Sequence, residues 1–377
     1  MIDLLVNMQL LSLLLLGAFT LTFILQLFFY WAIYWRLGRF RSQPANHQPV
    51  GISVVICAHN EYHHLKENLP LILEQDYPDF EVLVVNHSSD DDTRYLLNDL
   101  EERYPNLKTI AIKEDLNFFS GKKFPLSIGI KSARYDLVLL TDADCKPASR
   151  DWIRHMQSAF APNIEVVLGY GAYYRSPGLL NKLIRFDTAQ IAIQYLSYAL
   201  AGVPYMGVGR NLSYLKQVFY RHNGFISHYR IRSGDDDLFI NRVASNLNTA
   251  IMVHPGSYTL SDPKQSLGSW ITQKKRHLST SHLYKFKHKL LLGLYTCSLV
   301  AFYGIFITML SLNWSVIPVL GLFLLRLMSQ YIVFSQCMKQ LNEKDLLPMV
   351  PVFEIMLLLF NAGTWISNLF YNPVRWK

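Results

Sequence analysis

The chain has 377 residues, of which 51% are hydrophobic and 17% charged, and it carries a formal net charge of +8. A soluble globular surface needs about 25% charged residues, so a wholly soluble protein is excluded, as are disordered, collagen-like and disulfide-rich secreted chains. The deficit lies in long apolar runs near both ends, which reads as an integral membrane protein with one soluble α/β domain between its anchors.

The first run, Met8–Tyr34, is interrupted mainly by Gln26. It exceeds the roughly 20 apolar residues that span a bilayer. A cleaved signal peptide fits poorly, because the segment before it carries Asp3 and no Lys or Arg, and no small-residue cleavage site follows. Arg36, Arg39 and Arg41 come next and place that end in the cytosol by the positive-inside rule. Residues 1–41 are the expected N-terminal anchor and 48–285 the soluble domain.

Within that domain, Ile52–Ala58 is a β-branched apolar run, expected as a buried strand. Glu61–Glu74 has helical spacing through Leu65, Leu69 and Ile72. Strands at Phe80–Val85, Leu107–Ile112 and Leu137–Leu140 alternate with helices at Thr93–Arg103 and Phe124–Ala133. This alternation predicts right-handed crossovers and a mostly parallel sheet. Polar clusters follow three of the strands, at Ala58–Glu61, Asn86–Asp92 and Asp142–Asp144. They fall on the carboxyl edge, where such sheets bind ligands. Thr188–Val208 is apolar with Tyr195, Tyr198 and Tyr205 interspersed. It reads as an interfacial segment guiding a lipid acceptor, with plain core as the competing reading.

Three further apolar stretches, Leu290–Leu312, Ser315–Cys337 and Leu347–Phe370, make residues 290–377 a region of two to three spans. Lys285, Lys287, His288 and Lys289 mark its cytosolic entry. Pro351, Glu354 and Gly363 leave the last stretch open to a re-entrant or interfacial reading. The cysteines Cys57, Cys145, Cys297 and Cys337 lack metal or disulfide spacing. The positive charge fits a juxtamembrane skirt on anionic lipid or an anionic substrate. Nucleic acid is not an expected partner, since no basic stripe is interleaved with aromatics.

Asp142-Ala143-Asp144 closes the fourth strand. Two carboxylates two residues apart can hold a hard cation such as Mg²⁺ or Mn²⁺ through oxygen ligands. Ser233-Gly234-Asp235-Asp236-Asp237-Leu238 is a second acidic cluster. Mutual repulsion raises at least one of its pKa values, which suits a general base. Gln273-Lys274-Lys275-Arg276-His277 offers a guanidinium for a phosphate, or else a basic membrane-facing helix.

Val54–Glu61, Gln75-Asp76-Tyr77-Pro78 with Phe80–Val85, Gly121-Lys122-Lys123 and the Asp-Ala-Asp strand together resemble the family 2 glycosyltransferases of GT-A fold, over about residues 50–280. The resemblance implies a nucleotide-sugar donor, a divalent metal and inversion at the anomeric carbon. It also implies that Ala58, Asn60 and Glu61 line the nucleotide and that Lys122 approaches the base or phosphates. Asp144 would be the main metal ligand, with Asp142 nearer the ribose and metal. Asn86-His87-Ser88-Ser89 departs from the family's Asp-Asp-Gly-Ser, although Asn86 can hydrogen-bond a base edge; uridine is the first expectation for the base. Alignment on Gly234 makes Asp236 the base, and alignment on Leu238 makes it Asp237. Gln273, Arg276 and His277 match the family's Gln-x-x-Arg-Trp motif with His in place of Trp; His277 could donate to the diphosphate. The expected protein is a multi-pass enzyme of the cell membrane with a cytoplasmic catalytic domain, transferring a sugar from a nucleotide donor to a lipid or lipid-linked acceptor. A processive polysaccharide synthase and a non-catalytic membrane scaffold are the alternatives.

Overall fold

The computed structural model describes residues 2–42, 48–112, 121–231 and 233–370. Helix α1 (Ile2–Phe28) passes through a π-helical turn at Phe29–Tyr34 into α2 (Trp35–Arg39). Strands and helices then alternate as expected: β1 (Ile52–Ala58), α3 (Tyr62–Leu73), β2 (Phe80–His87), α4 (Thr93–Arg103), β3 (Leu107–Ile112), α5 (Lys123–Ser132) and β4 (Leu137–Asp142). These four strands pair in parallel in the spatial order β3-β2-β1-β4. Val54 and Val55 project to opposite faces of β1, and both are wholly buried. That is the burial expected of a parallel strand covered on both sides. The chain winds outward from β1 to β3 and returns to β4 on the other flank of β1. The carboxyl ends of β1 and β4 therefore frame a topological switch point, where α/β sheets bind ligands.

The second half completes the sheet with a change of direction. Its elements are β5 (Cys145–Pro147), α6 (Trp152–Ser158), β6 (Val166–Leu168), β7 (Gly171–Tyr173), α7 (Leu179–Leu200), β8 (Leu212–Leu215), α8 (Lys216–Arg221), α9 (Asp237–Val243), β9 (Thr249–Ile251), β10 (Thr259–Ser261) and α10 (Leu267–Leu278). Strand β8 runs antiparallel to β4, β6 antiparallel to β8 and β9 parallel to β6, giving the order β3-β2-β1-β4-β8-β6-β9. A small sheet, β5-β10-β7, stands apart.

Thr188–Val208 is not an interfacial segment. Most of it belongs to α7, where Ala189, Ala192, Ile193, Tyr195, Leu196 and Tyr198 are buried in the main core. The Tyr195 hydroxyl donates to the Gly169 carbonyl at 2.6 Å. The helix is buried on most sides because it packs both on the strands and on the membrane helices, and its buried Arg185 and Asp187 are ion-paired.

Helices α11 (Phe286–Ser311), α12 (Val316–Gln340) and α13 (Val350–Phe370) follow. Four helical stretches, Asn7–Arg39, Phe286–Ser311, Val316–Gln340 and Lys344–Thr364, are long and apolar enough to cross a membrane. This is a membrane protein. The polar residues that interrupt the apolar runs meet one another. Arg326 of α12 pairs with Glu354 of α13 at 2.8 Å and donates to Gln26 of α1 at 2.6 Å and to Gln330 at 2.7 Å. Glu354 also accepts from the Tyr303 hydroxyl of α11 at 2.7 Å. One buried cluster thus joins all four helices, in an environment where an unpaired charge is costly.

The soluble and membrane parts are welded together. Arg185 of α7 binds Asp345, at 2.7 and 2.9 Å, and Glu343, both in the α12–α13 connection. Lys274 of α10 forms a buried pair with Asp187 of α7 at 2.8 Å, and Trp270 stacks on Phe360 of α13 with centroids 4.6 Å apart. Glu354→Ala strands the Arg326 charge among the spans; removing one partner of a buried pair costs about 3–5 kcal/mol. A clear drop in the melting temperature of the purified protein is expected, and an unchanged one would show that the cluster does not hold the bundle.

Candidate active site

Asp142 is the last residue of β4 and lies opposite Cys57 of β1. Asp144 follows after a tight turn, and the ligand atoms of Asp142, Asp144 and Cys145 all lie within 4.8 Å of one another. The three differ in character. Partial burial opposes the charge of Asp142, but the Lys122 ammonium paired with it, backed by Arg210 and Arg276, holds its carboxyl below the usual range. Burial and the neighbouring Asp142 push Asp144 up. Cys145 is wholly buried, and burial with Asp144 beside it keeps the thiol protonated; it donates to Asp144 Oδ1 at 3.4 Å. The donor set is therefore two carboxylates, one of them destabilised by the other, which fits a hard divalent cation. A cavity of about 160 Å³ opens beside Asp144, lined by His64, Glu67, Asn68, Lys146 and Asp262.

The ends of β1 and β2 are cross-linked. Ala58 and Asn86 are register partners. Asn60 N–H donates to Ser89 Oγ at 2.9 Å, Asp90 N–H donates to Asn60 Oδ1 at 2.8 Å, and Ser89 Oγ donates to Asn86 Oδ1 at 2.6 Å. Asn60 (φ 56°) and Ser88 (φ 50°) both adopt left-handed backbone, a strain that tends to collect at ligand sites. Glu61 meets His64 Nδ1 at 2.6 Å; burial raises its carboxyl against that contact.

In the second acidic cluster the three aspartates part company. Gly234 has φ +96°, and a Cβ there would lie 2.5 Å from Leu238 Cδ1, so the turn requires glycine. Asp236 precedes α9 and accepts from Asp237 N–H at 2.7 Å and from Gly209 N–H at 2.8 Å. Burial, then the charges of Asp235 and Asp237, raise its carboxyl to about 7. Asp237 is buried, and its oxygens accept from Thr280 Oγ1 at 2.5 Å, the Tyr284 hydroxyl at 2.7 Å and Leu238 N–H at 2.8 Å. Asp235 acts electrostatically on Lys122, linking the two acidic clusters.

Helix α10 carries the Gln273–His277 segment. Gln273 Nε2 donates to the Tyr173 hydroxyl at 3.2 Å. Arg276 and His277 are exposed, and the positive charge of Arg276 reaches Asp142. The protein mass around His277 and the cations Arg276, Lys274 and Arg210 hold its imidazole well below the ordinary value, so it is neutral near pH 7.

Two residues escaped the sequence reading. Lys123 is buried, and its ammonium donates to the carbonyls of His228 at 2.9 Å, Ser233 at 2.6 Å and Ile231. Burial lowers it to about 8. The adjacent lysines therefore divide the work: Lys122 meets the Asp142 carboxylate, and Lys123 holds the segment leading to Asp235. Arg210 is the other; its carbonyl accepts from Thr141 Oγ1 of β4 at 3.0 Å. Only the tripeptide Gly121-Lys122-Lys123 signalled the first, and no motif signalled the second.

A family model described as glycosyl transferase family 21 matches residues 18–377. A poly-beta-1,6-N-acetyl-D-glucosamine synthase of Staphylococcus epidermidis is 31% identical over 127 residues, 30% of each chain. The probable glycosyltransferase YdaM of Bacillus subtilis is 33% identical over 98 residues, 26% of this chain and 23% of that protein. The chain thus matches less than a third of the length of these curated relatives. Among solved structures, the mannosyltransferase PcManGT of Pyrobaculum calidifontis, in complex with GDP-Man and Mn²⁺, superposes with a TM-score of 0.57 at 18% identity, over 91% of this chain and 98% of that one. This likeness shows a common fold and bears out the expected GT-A arrangement.

Lys123→Met leaves three carbonyls without their donor, a loss of about 1–3 kcal/mol for buried groups left unpaired. Amide exchange around His228, Ile231 and Ser233 is expected to quicken at least about tenfold; unchanged protection would rule out the clamp.

Proposed function

The chain belongs to glycosyl transferase family 21, and from that premise we propose that it transfers a sugar, with inversion, from a nucleoside diphosphate donor to a hydroxyl of a lipid or lipid-linked acceptor at the cytosolic face of the cell membrane. The observation that carries this reading is the pairing of Asp236 with the Asp142/Asp144 strand end. Gly209 N–H binds Asp236, and the next residue's carbonyl binds Thr141, so one turn ties the base to the donor edge. A carboxyl near 7 is matched to proton transfer at neutral pH. A phosphate nucleophile, already ionised, would need no such base; a hydroxyl does.

Asp236 takes the proton of the acceptor hydroxyl as its oxygen attacks the anomeric carbon from the face opposite the leaving diphosphate. The two backbone N–H groups on Asp236 fix its oxygens in place. Asp237, its oxygens engaged by Thr280, Tyr284 and backbone, serves to position the cluster. Asp142 and Asp144 would hold a Mg²⁺ or Mn²⁺ ion, which when bound offsets charge on the leaving diphosphate. Lys122 and Arg276 add positive charge on the same side. Ala58, Asn60, Glu61 and Asn86 form the wall against which the nucleoside lies, with a uridine diphosphate sugar as the first donor to test. The similarly folded mannosyltransferase, solved with GDP-Man and Mn²⁺, accords with a nucleotide-sugar donor and a divalent cation.

Membrane placement rests on charge and contact. Arg36 and Arg39 end the first span, and Lys285, Lys287 and Lys289 open the second, both on the side of the α/β domain. Tyr284, which binds Asp237, lies two residues before α11, so the acidic cluster sits close to where a span begins. The Arg326 cluster occupies the centre of the bundle, which favours single transfer over extrusion of a polymer through it.

Asp236→Asn and Asp144→Ala are each expected to lower turnover of nucleotide sugar by at least about 10²-fold. The wild-type rate should fall as pH drops below about 7, because only the ionised Asp236 accepts a proton. Wild-type rates in both purified variants, or a rate rising into acid, would overturn the mechanism.

A further inference from the structure

Arg185, Arg210 and Arg326 are buried or half-buried and differ in what engages them. Arg185 is held by Glu343 and Asp345, and Arg326 by Glu354. Arg210, half-buried, forms no ion pair among the described residues, although its charge reaches both Asp142 and Asp144. Its one side-chain hydrogen bond among them runs from Nη1 to the neutral Ser261 Oγ, at 3.0 Å. A guanidinium offers five N–H donors in a planar fork, so most of the Arg210 fork is uncommitted beside the two carboxylates.

The place of this side chain is built. Its guanidinium lies over the Tyr173 ring, 4.4 Å from the centroid. Its stem crosses Gly171 of β7, where a Cβ would come within 2.5 Å of Arg210 Nε and 2.7 Å of Cγ. Tyr173 in turn receives the hydrogen bond from Gln273 of α10, the helix that carries Arg276. Arg210 thus stands between the Asp142/Asp144 pair and the Gln273–Arg276 helix. Its backbone is fixed on both sides: the Arg210 carbonyl accepts from Thr141 Oγ1 and from Thr259 Oγ1 at 2.9 Å, and Asn211 Nδ2 donates to the carbonyls of Tyr170 and Ser257.

We infer that Arg210 is a catalytic residue that binds the diphosphate of the donor through its free N–H fork and stabilises it as it leaves. The inference rests on the transferase reading above and names a residue for it. Planar donors beside two metal-type carboxylates suit an oxyanion carrying two or more charges. A purely structural arginine in a protein interior is expected to be paired with carboxylates, as Arg185 and Arg326 are.

The test uses the full-length protein in nanodiscs with Mn²⁺, titrated calorimetrically with UDP, UMP, GDP and GMP. For whichever base the wild type prefers, Arg210→Met is expected to weaken the diphosphate at least about tenfold and the monophosphate less than about threefold. Retained monophosphate binding reports an intact fold. Arg210→Lys, which keeps the charge but loses the fork, should fall between. Gly171→Ala, which crowds the stem, should reproduce the diphosphate loss while Arg210 remains. Equal losses for diphosphate and monophosphate, or wild-type diphosphate affinity in Arg210→Met, would overturn the assignment to Arg210 and leave the transferase reading standing. A wild-type protein that binds none of the four nucleotides would overturn the transferase reading, and the role of Arg210 with it.

Discussion

Negative charge gathered on one sheet edge is the constraint from which the rest of the molecule follows. Asp142 and Asp144 end one strand, and Asp235, Asp236 and Asp237 begin one helix. Two like charges about 4 Å apart repel by roughly 4 kcal/mol at an effective dielectric near 20. Each carboxylate is held by different means. Asp142 has an ammonium, Asp236 two backbone N–H groups, and Asp237 two hydroxyls. Among the described residues Asp144 forms no ion pair, and burial with Asp142 beside it raises its carboxyl. The carboxylates differ in their partners and in the direction of their pKa shifts because their surroundings differ, although their chemistry is the same.

The same edge is tied to the membrane helices. Arg185 joins α7 to the α12–α13 connection, Lys274 joins α10 to α7, and Trp270 stacks α10 on α13. Asn241 of α9 meets His288 Nδ1 of α11 at 2.9 Å. A tilt of the α/β domain relative to the spans would break the buried Arg185–Glu343 pair, which is expensive to leave half-made. The geometry of the site and its position relative to the apolar helices are therefore one property of the fold. The buried Arg326–Glu354 pair serves the same end lower down by fixing how the four helices cross.

Much of this was legible in the residues. The strands from β1 to β4 match their apolar runs closely, because a parallel strand covered on both faces leaves a continuous hydrophobic signature. The Asp142/Asp144 and Asp235–Asp237 clusters were legible because closely spaced carboxylates repel one another, a local cost that marks them in the sequence. The same logic failed for Thr188–Val208. Tyrosines and glutamines in an apolar run read equally as interface or as core, and only the packing of α7 between sheet and bundle separates the two. Gln26 and Glu354 interrupt their apolar runs in the sequence, and in the fold both bind Arg326.

The sequence by itself determined the apolar spans, the alternating α/β pattern and the identity of the acidic groups, since hydrophobic periodicity and local charge are properties of neighbouring residues. Only the tertiary structure decided which aspartate faces which partner. It alone showed that Lys123 holds a loop about 105 to 110 residues away in the chain, and that the stem of Arg210 passes over Gly171. Those outcomes depend on contacts between segments far apart in the chain, and no local pattern encodes a contact until both sides of it have folded.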